Sequence, residues 1–139
     1  MKPELDAALC RDFPVIFRNR HADMRSTCMC WGFECGDGWE PLIRRLCEQL
    51  EAIRMASGLV SVADQVKEKY GTLRFYVHFG GEADKPWADI AWACADAAER
   101  RSGSTCEECG GYGTIRDAGW LYTRCDACWA KMEAERAQS

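Results

Sequence analysis

The sequence predicts an α+β fold: a small body of helices and a β-hairpin or small antiparallel sheet, with a treble-clef-like or ribbon-like finger at the C-terminal end. Three observations carry that expectation. Residues 41–57 and 84–101 repeat apolar side chains at spacings of three and four, as amphipathic helices do. Between them, residues 72–79 alternate apolar and polar side chains, the pattern of a half-buried strand. Beyond them, Cys106-Glu-Glu-Cys109 and Cys125-Asp-Ala-Cys128 stand fifteen residues apart.

With 139 residues, 47% of them hydrophobic, the chain is long enough for one core and a modest appended module. The natural division is a body over 1–103 and a four-cysteine module over 104–139, packed on the body through a short joint. Residues 1–38 read as irregular, with Phe13-Pro14-Val15-Ile16-Phe17 as an apolar segment against the body. Trp31-Gly-Phe-Glu-Cys-Gly-Asp-Gly-Trp39 is punctuated by glycines that suit tight turns, and its rings suit burial on the next helix. Asp37 and Pro41 open that helix, and Gly58 stops it after Ser57. Leu42, Ile43, Leu46, Cys47, Leu50 and Ile53 fall on one face.

In the strand over 72–79, Leu73, Phe75, Val77 and Phe79 point one way and Arg74, Tyr76 and His78 the other. Residues 59–67 alternate through Val60, Val62 and Val66, which suits a hairpin turning near Tyr70-Gly71; Val62, Val66 and Tyr70 also fit helical spacing. Asp84 and Pro86 open the second helix, with Trp87, Ile90, Ala91, Cys94, Ala97 and Ala98 as its buried stripe and Ser102-Gly103 as its end. In the last module, 114–116 and 120–123 read as strands around the turn Asp117-Ala118-Gly119. Asp126 caps a final helix through about Glu135, with Cys128 in its first turn.

Ten cysteines in a chain with no apolar leader at Met1–Phe13 point to a reducing compartment, the cytoplasm, and to metal rather than disulfides. Two C-x2-C pairs at this spacing supply Cys106, Cys109, Cys125 and Cys128 as the four soft donors of one structural Zn2+ site. Such a site has no open position, so its metal is not expected to be catalytic. Cys28, Cys30 and Cys35 form a second cluster that could hold another zinc with His21 or Cys10; the alternative is that these thiols are small apolar fillers. Cys47 and Cys94 lie on apolar helix faces and read as core.

The net charge is −4, from 18 basic and 22 acidic residues. Residues 104–139 sum to −2, and four thiolates around one divalent cation add a further −2, so the finger does not suit a general grip on phosphates. Residues 59–81 sum to +1, and Lys67, Lys69 and Arg74, with Arg100 and Arg101, offer a small basic face. No phosphate-binding loop, dinucleotide fingerprint, H-E-x-x-H, G-x-S-x-G or deaminase signature is present, so no enzymatic role is expected. The least unfavourable nucleophile would be Cys35 with His21 or His78. Six tryptophans are many for one small core, and Trp120 and Trp129 are the two read as interface anchors.

Residues 28–39, the stretch Val66-Lys-Glu-Lys-Tyr-Gly-Thr-Leu-Arg-Phe-Tyr-Val77, and the four-cysteine module with Gly119-Trp120 together resemble a family of small tailed-phage and prophage proteins. The likeness spans roughly residues 13–129. It implies a phage-type origin and an α+β body with a C-terminal zinc finger, and it implies no activity. A weaker likeness, over 84–136, is to the zinc end of bacterial transcription factors that enter the RNA polymerase secondary channel; the helix here is shorter than their coiled-coil hairpin and a strand pair precedes it. The functional expectation is therefore a non-enzymatic phage or prophage accessory protein in the bacterial cytoplasm that binds, and inhibits or redirects, a host protein. The second reading is a nucleic-acid-binding or transcription-linked module using Lys67, Lys69 and Arg74, with Arg116 and Arg124. The third is an enzyme built on Cys28, Cys30 and Cys35.

Overall fold

The computed structural model covers residues 1–139. Four helices and two small sheets make an α+β fold. Strand β1 (Phe33–Glu34) runs parallel to β2 (Val60–Lys69), which pairs antiparallel with β3 (Thr72–Gly80). Helices α2 (Glu40–Ser57) and α3 (Lys85–Ser102) pack on one face of this sheet, and the core of the molecule lies between them and the strands. Strands β4 (Thr114–Asp117) and β5 (Leu121–Arg124) form the second sheet, followed by α4 (Asp126–Ala137).

Residues 1–38, expected to be irregular, contain a helix, α1 (Pro3–Asp12). Its start obeys ordinary rules: Pro3 needs no amide partner in the first turn, and Glu4 and Asp6 face the positive end of the helix dipole. Its apolar face is short: Leu9, fully buried, with half-buried Leu5, Ala8 and Cys10 beside it, a single turn of helical spacing. Tertiary bonds hold it instead. The Arg20 guanidinium pairs with Asp6 at 3.0 Å and donates to the Cys30 carbonyl at 2.9 Å, and the Met1 ammonium donates to the Cys35 carbonyl at 2.7 Å. Phe13, Ile16 and Phe17 are buried as anticipated, and Phe17 meets Phe33 edge-on.

Helix α2 buries the six residues its periodicity selects and closes with Gly58, whose amide bonds the Arg54 carbonyl at 2.8 Å. It begins at Glu40, after a single 3-10 turn over Asp37–Trp39.

The hairpin is the structural centre. Lys69 pairs with Thr72, leaving two loop residues, and both have positive φ: 55° at Tyr70 and 81° at Gly71. This is the turn whose twist matches that of the flanking strands. Glycine accepts that conformation freely, whereas a tyrosine there is strained. Tyr70→Asn is expected to stabilise the fold by roughly 0.5–1 kcal/mol, because asparagine tolerates the left-handed region. Urea unfolding of the metal-loaded protein checks this; an unchanged or lower midpoint would contradict it.

A β-bulge between Ala63 and Gln65 corrects the alternation expected along β2. It shifts the phase by one residue, so Val66, opposite Phe75, joins Ser61 and Ala63 on the core face, while Val62, opposite His78, lies on the other.

Helix α3 is rotated from the stripe expected. Its buried residues are Ala91, Ala95, Ala98 and Ser102; Ile90 and Ala97 are exposed and Cys94 is half-buried. Two hydrogen bonds set this rotation. Ser102 Oγ accepts from the Leu73 amide at 2.8 Å and Glu99 Oε1 from the Phe75 amide at 3.0 Å. These amides belong to the open edge of β3, and α3 caps them with side chains. Small alanines let the helix lie close enough to do so.

Candidate metal centre

The last module is built as a knuckle, a hairpin and a helix. In the knuckle, the Cys106 amide donates to the Gly111 carbonyl at 2.7 Å and the Cys106 carbonyl accepts from the Gly110 amide at 2.8 Å. β4 and β5 carry the chain out and back, and Asp117 Oδ1 fixes the turn through the Gly119 amide at 2.9 Å. The cap of α4 is Cys125 rather than Asp126: its sulfur accepts from the Cys128 amide at 3.4 Å. That contact fixes the Cys125 sulfur at the start of α4, one turn from Cys128. Asp126 is exposed and pairs with Arg116.

The four sulfurs of Cys106, Cys109, Cys125 and Cys128 lie within 4.8 Å of one another. Cys109 Sγ and Cys125 Sγ are 3.7 Å apart. Cys106 is fully buried, Cys109 is exposed, and the other two are half-buried. Burial would raise the Cys106 thiol, but the backbone amides of Cys109, Cys125 and Glu108 outweigh it and bring the thiol down to about 7. Cys128 goes the other way, pushed up to about 12 by burial and then by the three neighbouring cysteines. Four thiols held this close form a donor set that can take a metal ion.

The finger is seated on the body at three places. At the first, the Gly38 amide donates to the Glu107 carbonyl at 2.8 Å and the Gly36 amide to Glu107 Oε1 at 2.9 Å. Trp39, fully buried, donates from Nε1 to the Thr105 carbonyl at 2.8 Å. At the second, the Thr123 hydroxyl donates to the Gly71 carbonyl in the hairpin turn. The third is Trp120, whose Nε1 donates to Glu68 Oε1 at 3.1 Å. Glu107 is buried beside Arg124, 3.4 Å away, and desolvation still holds its carboxyl above the usual range. None of Gly36, Gly38 and Glu107 stood out in the sequence as part of the site. The closely spaced glycines before Trp39 were the available signal, and they read equally well as turns.

The second cysteine cluster is not gathered. Cys28 is exposed, Cys30 Sγ donates to the Thr27 carbonyl at 3.2 Å, and Cys35 is buried. His21 is exposed, and half-buried Cys10 donates to Asp6 at 3.6 Å. The only group of three or more such ligands that converges is the C-terminal one. The physical reason is local: Cys10 bonds Asp6 one turn back on α1, Cys30 bonds the Thr27 carbonyl of its own 3-10 turn, and Cys35 is packed into the core. Burial, then Glu107, pushes the Cys35 thiol to about 12, so it stays protonated and is a poor nucleophile.

The candidate interface residues divide. Trp120 is 62% exposed and occupies the β4–β5 turn rather than a strand. Trp129 is half-buried on α4, tilted against Tyr122 and under the Arg116 guanidinium at 5.7 Å. Lys67, Lys69 and Arg74 share the outer face of the β2–β3 hairpin. No helix is long and apolar enough to cross a membrane. Comparison with family models, curated proteins and solved structures gives no match to this chain.

Proposed function

We propose that the protein is a zinc-stabilised, non-enzymatic binding protein of phage or prophage origin that acts in the bacterial cytoplasm by engaging a host protein, which it inhibits or redirects. Zinc is supported by the sulfur geometry. Zn–S bonds of about 2.3 Å in a tetrahedron place neighbouring sulfurs about 3.8 Å apart, and Cys109 and Cys125 stand at 3.7 Å. An all-thiolate set favours zinc over the hard cations. All four positions belong to the protein, which makes the zinc a structural clamp.

The binding reading rests on Trp120. It is exposed, yet its Nε1 is held by Glu68 across the junction between finger and hairpin. Tyr70 and Ile115 are exposed at the same junction, where Gly71 packs beside Ile115 and Leu121. An aromatic side chain ordered before binding loses little freedom on contact, which is what an interface anchor requires. The phage-type origin rests on the resemblance carried by residues 28–39, 66–77 and the finger.

Affinity capture from nuclease-treated bacterial lysate with the zinc-loaded protein tests this reading. The expected result is a discrete host protein retained by the wild type and lost with Trp120→Ala, a variant that keeps its zinc. Capture of nothing, or of a set unchanged by Trp120→Ala, would refute it.

A further inference from the structure

The stretch Lys67–Tyr76 serves the fold with only half of its residues. Leu73 and Phe75 face the core, Glu68 holds Trp120, and Tyr70-Gly71 make the turn. The alternate residues, Lys67, Lys69, Arg74 and Tyr76, face outward. Lys67 and Arg74 are direct cross-strand partners, an arrangement of like charges that destabilises a hairpin. No carboxylate lies within ion-pair distance of Lys67, Lys69 or Arg74; Arg74 Nη1 donates to Thr72 Oγ1 at 2.7 Å and to the Leu73 carbonyl at 3.1 Å, which leaves its charge unpaired.

The acids bordering this face are turned to other partners. Asp64 bonds His78 at 2.7 Å and Glu99 accepts the Phe75 amide; Glu34, the register partner of Lys67 on β1, accepts from Gln65 at 3.4 Å and forms no ion pair with that lysine. Asp96 lines a shallow depression with Arg74, Arg100, Thr72 and Glu99, out of ion-pair reach. The half of the face nearest the turn is therefore cationic on a chain of net charge −4. Beside the cations, Tyr76 is 42% exposed, with the Gln65 amide opposite it in register. Lys69 lies over the Tyr70 ring at 5.5 Å.

We infer that this outer hairpin face binds single-stranded nucleic acid, with Lys67, Lys69 and Arg74 taking successive phosphates and Tyr76 stacking on a base. A sheet face that combines unpaired cations with an exposed ring suits a strand whose bases are free to stack. A duplex hides those faces and spreads its phosphates past the cationic half, toward the acidic remainder of the chain. The inference does not depend on the host-protein reading, which rests on Trp120.

Fluorescence anisotropy of the full zinc-loaded chain with short labelled oligo-dT and oligo-U tests it, the two probes separating DNA from RNA. Three phosphate contacts predict a log–log salt slope of about −2, so affinity falls about 20-fold from 50 to 200 mM salt. The double variant Lys67→Gln/Arg74→Gln is expected to bring the slope to about −0.7, since one contact remains. Tyr76→Ala is expected to lose roughly fivefold or more, and Tyr76→Phe to retain binding, because the ring is what stacks. Circular dichroism verifies each fold; Lys67→Gln alone, an outward side chain, replaces the double variant if that one fails. The inference is overturned by the absence of binding at 50 mM salt or by tighter binding of a duplex of equal length. It is equally overturned if the charge variants abolish binding while Tyr76→Ala does not, which would mark electrostatic attraction to phosphate without base stacking.

Discussion

Cys106→Ser is expected to lose the metal and, with it, the finger. Cys106 is the fully buried ligand of the four, and its amide and carbonyl close the knuckle. A serine there offers a hydroxyl that does not ionise near neutral pH and a much weaker bond to zinc. Structural zinc contributes on the order of 10 kcal/mol or more of apparent binding energy at neutral pH, which couples directly to folding. Apart from its seat on the body, the finger has little apolar packing of its own, since α4 buries none of its residues. We expect zinc content to fall from one ion per chain to near zero. We also expect a loss of at least about 4 kcal/mol in zinc-containing buffer, or about 10–20 °C in the midpoint. Elemental analysis and thermal unfolding give both readings. A chelator should bring the wild type down by a similar amount and leave Cys106→Ser unchanged. Cys30→Ser, outside the gathered set, should keep its zinc. Full metal content and an unchanged midpoint in Cys106→Ser would remove the metal assignment.

The four ligands were legible because a metal site at two C-x2-C knuckles is a local matter. Spacing alone places each pair of sulfurs on one turn. The hairpin was legible for a similar reason, since alternation over Leu73–Phe79 and a Tyr-Gly turn are both short-range. What escaped the sequence depends on partners far along the chain. The bulge at Asp64 exists only in relation to β3, so Val62 and Val66 looked equivalent. Two overlapping stripes on α3 fit the helical period, and apolar bulk favours the one with Ile90. The structure takes the alanine stripe because Ser102 and Glu99 must reach the amides of Leu73 and Phe75. Helix α1 escaped because an ion pair with Arg20, rather than an apolar face, fixes it. At the candidate site, the thiols were readable and the seat beneath them was not. Gly36 and Gly38 lie about seventy residues before the knuckle they support, and a glycine read alone says turn as readily as close approach.

Gly38→Ala separates that seat from the metal. A Cβ on Gly38 would stand 2.2 Å from the Cys106 carbonyl oxygen, 2.6 Å from the Gly110 amide nitrogen and 2.7 Å from the Glu107 carbonyl carbon. All three are backbone atoms of the knuckle, so no side chain can swing aside to make room. The knuckle must move away, which breaks the Gly38–Glu107 bond and strains the Trp39–Thr105 bond beside it. Overpacking of this kind costs about 1–3 kcal/mol, and each hydrogen bond lost inside the contact adds about 1 kcal/mol. A total of about 3–5 kcal/mol is expected in urea unfolding. Gly80→Ala is the control, because a Cβ there meets nothing within 4 Å and the backbone has no positive φ. The four cysteines are untouched, so Gly38→Ala should still carry one zinc per chain while the amides of Gly36 and Gly38 lose protection from hydrogen exchange. That combination distinguishes an unseated finger from a melted one. It also bears on binding, because Trp120 meets Glu68 only while the finger stays on the hairpin. A Gly38→Ala protein as stable as Gly80→Ala would mean that the knuckle yields without cost and that the seat does not hold the junction in place.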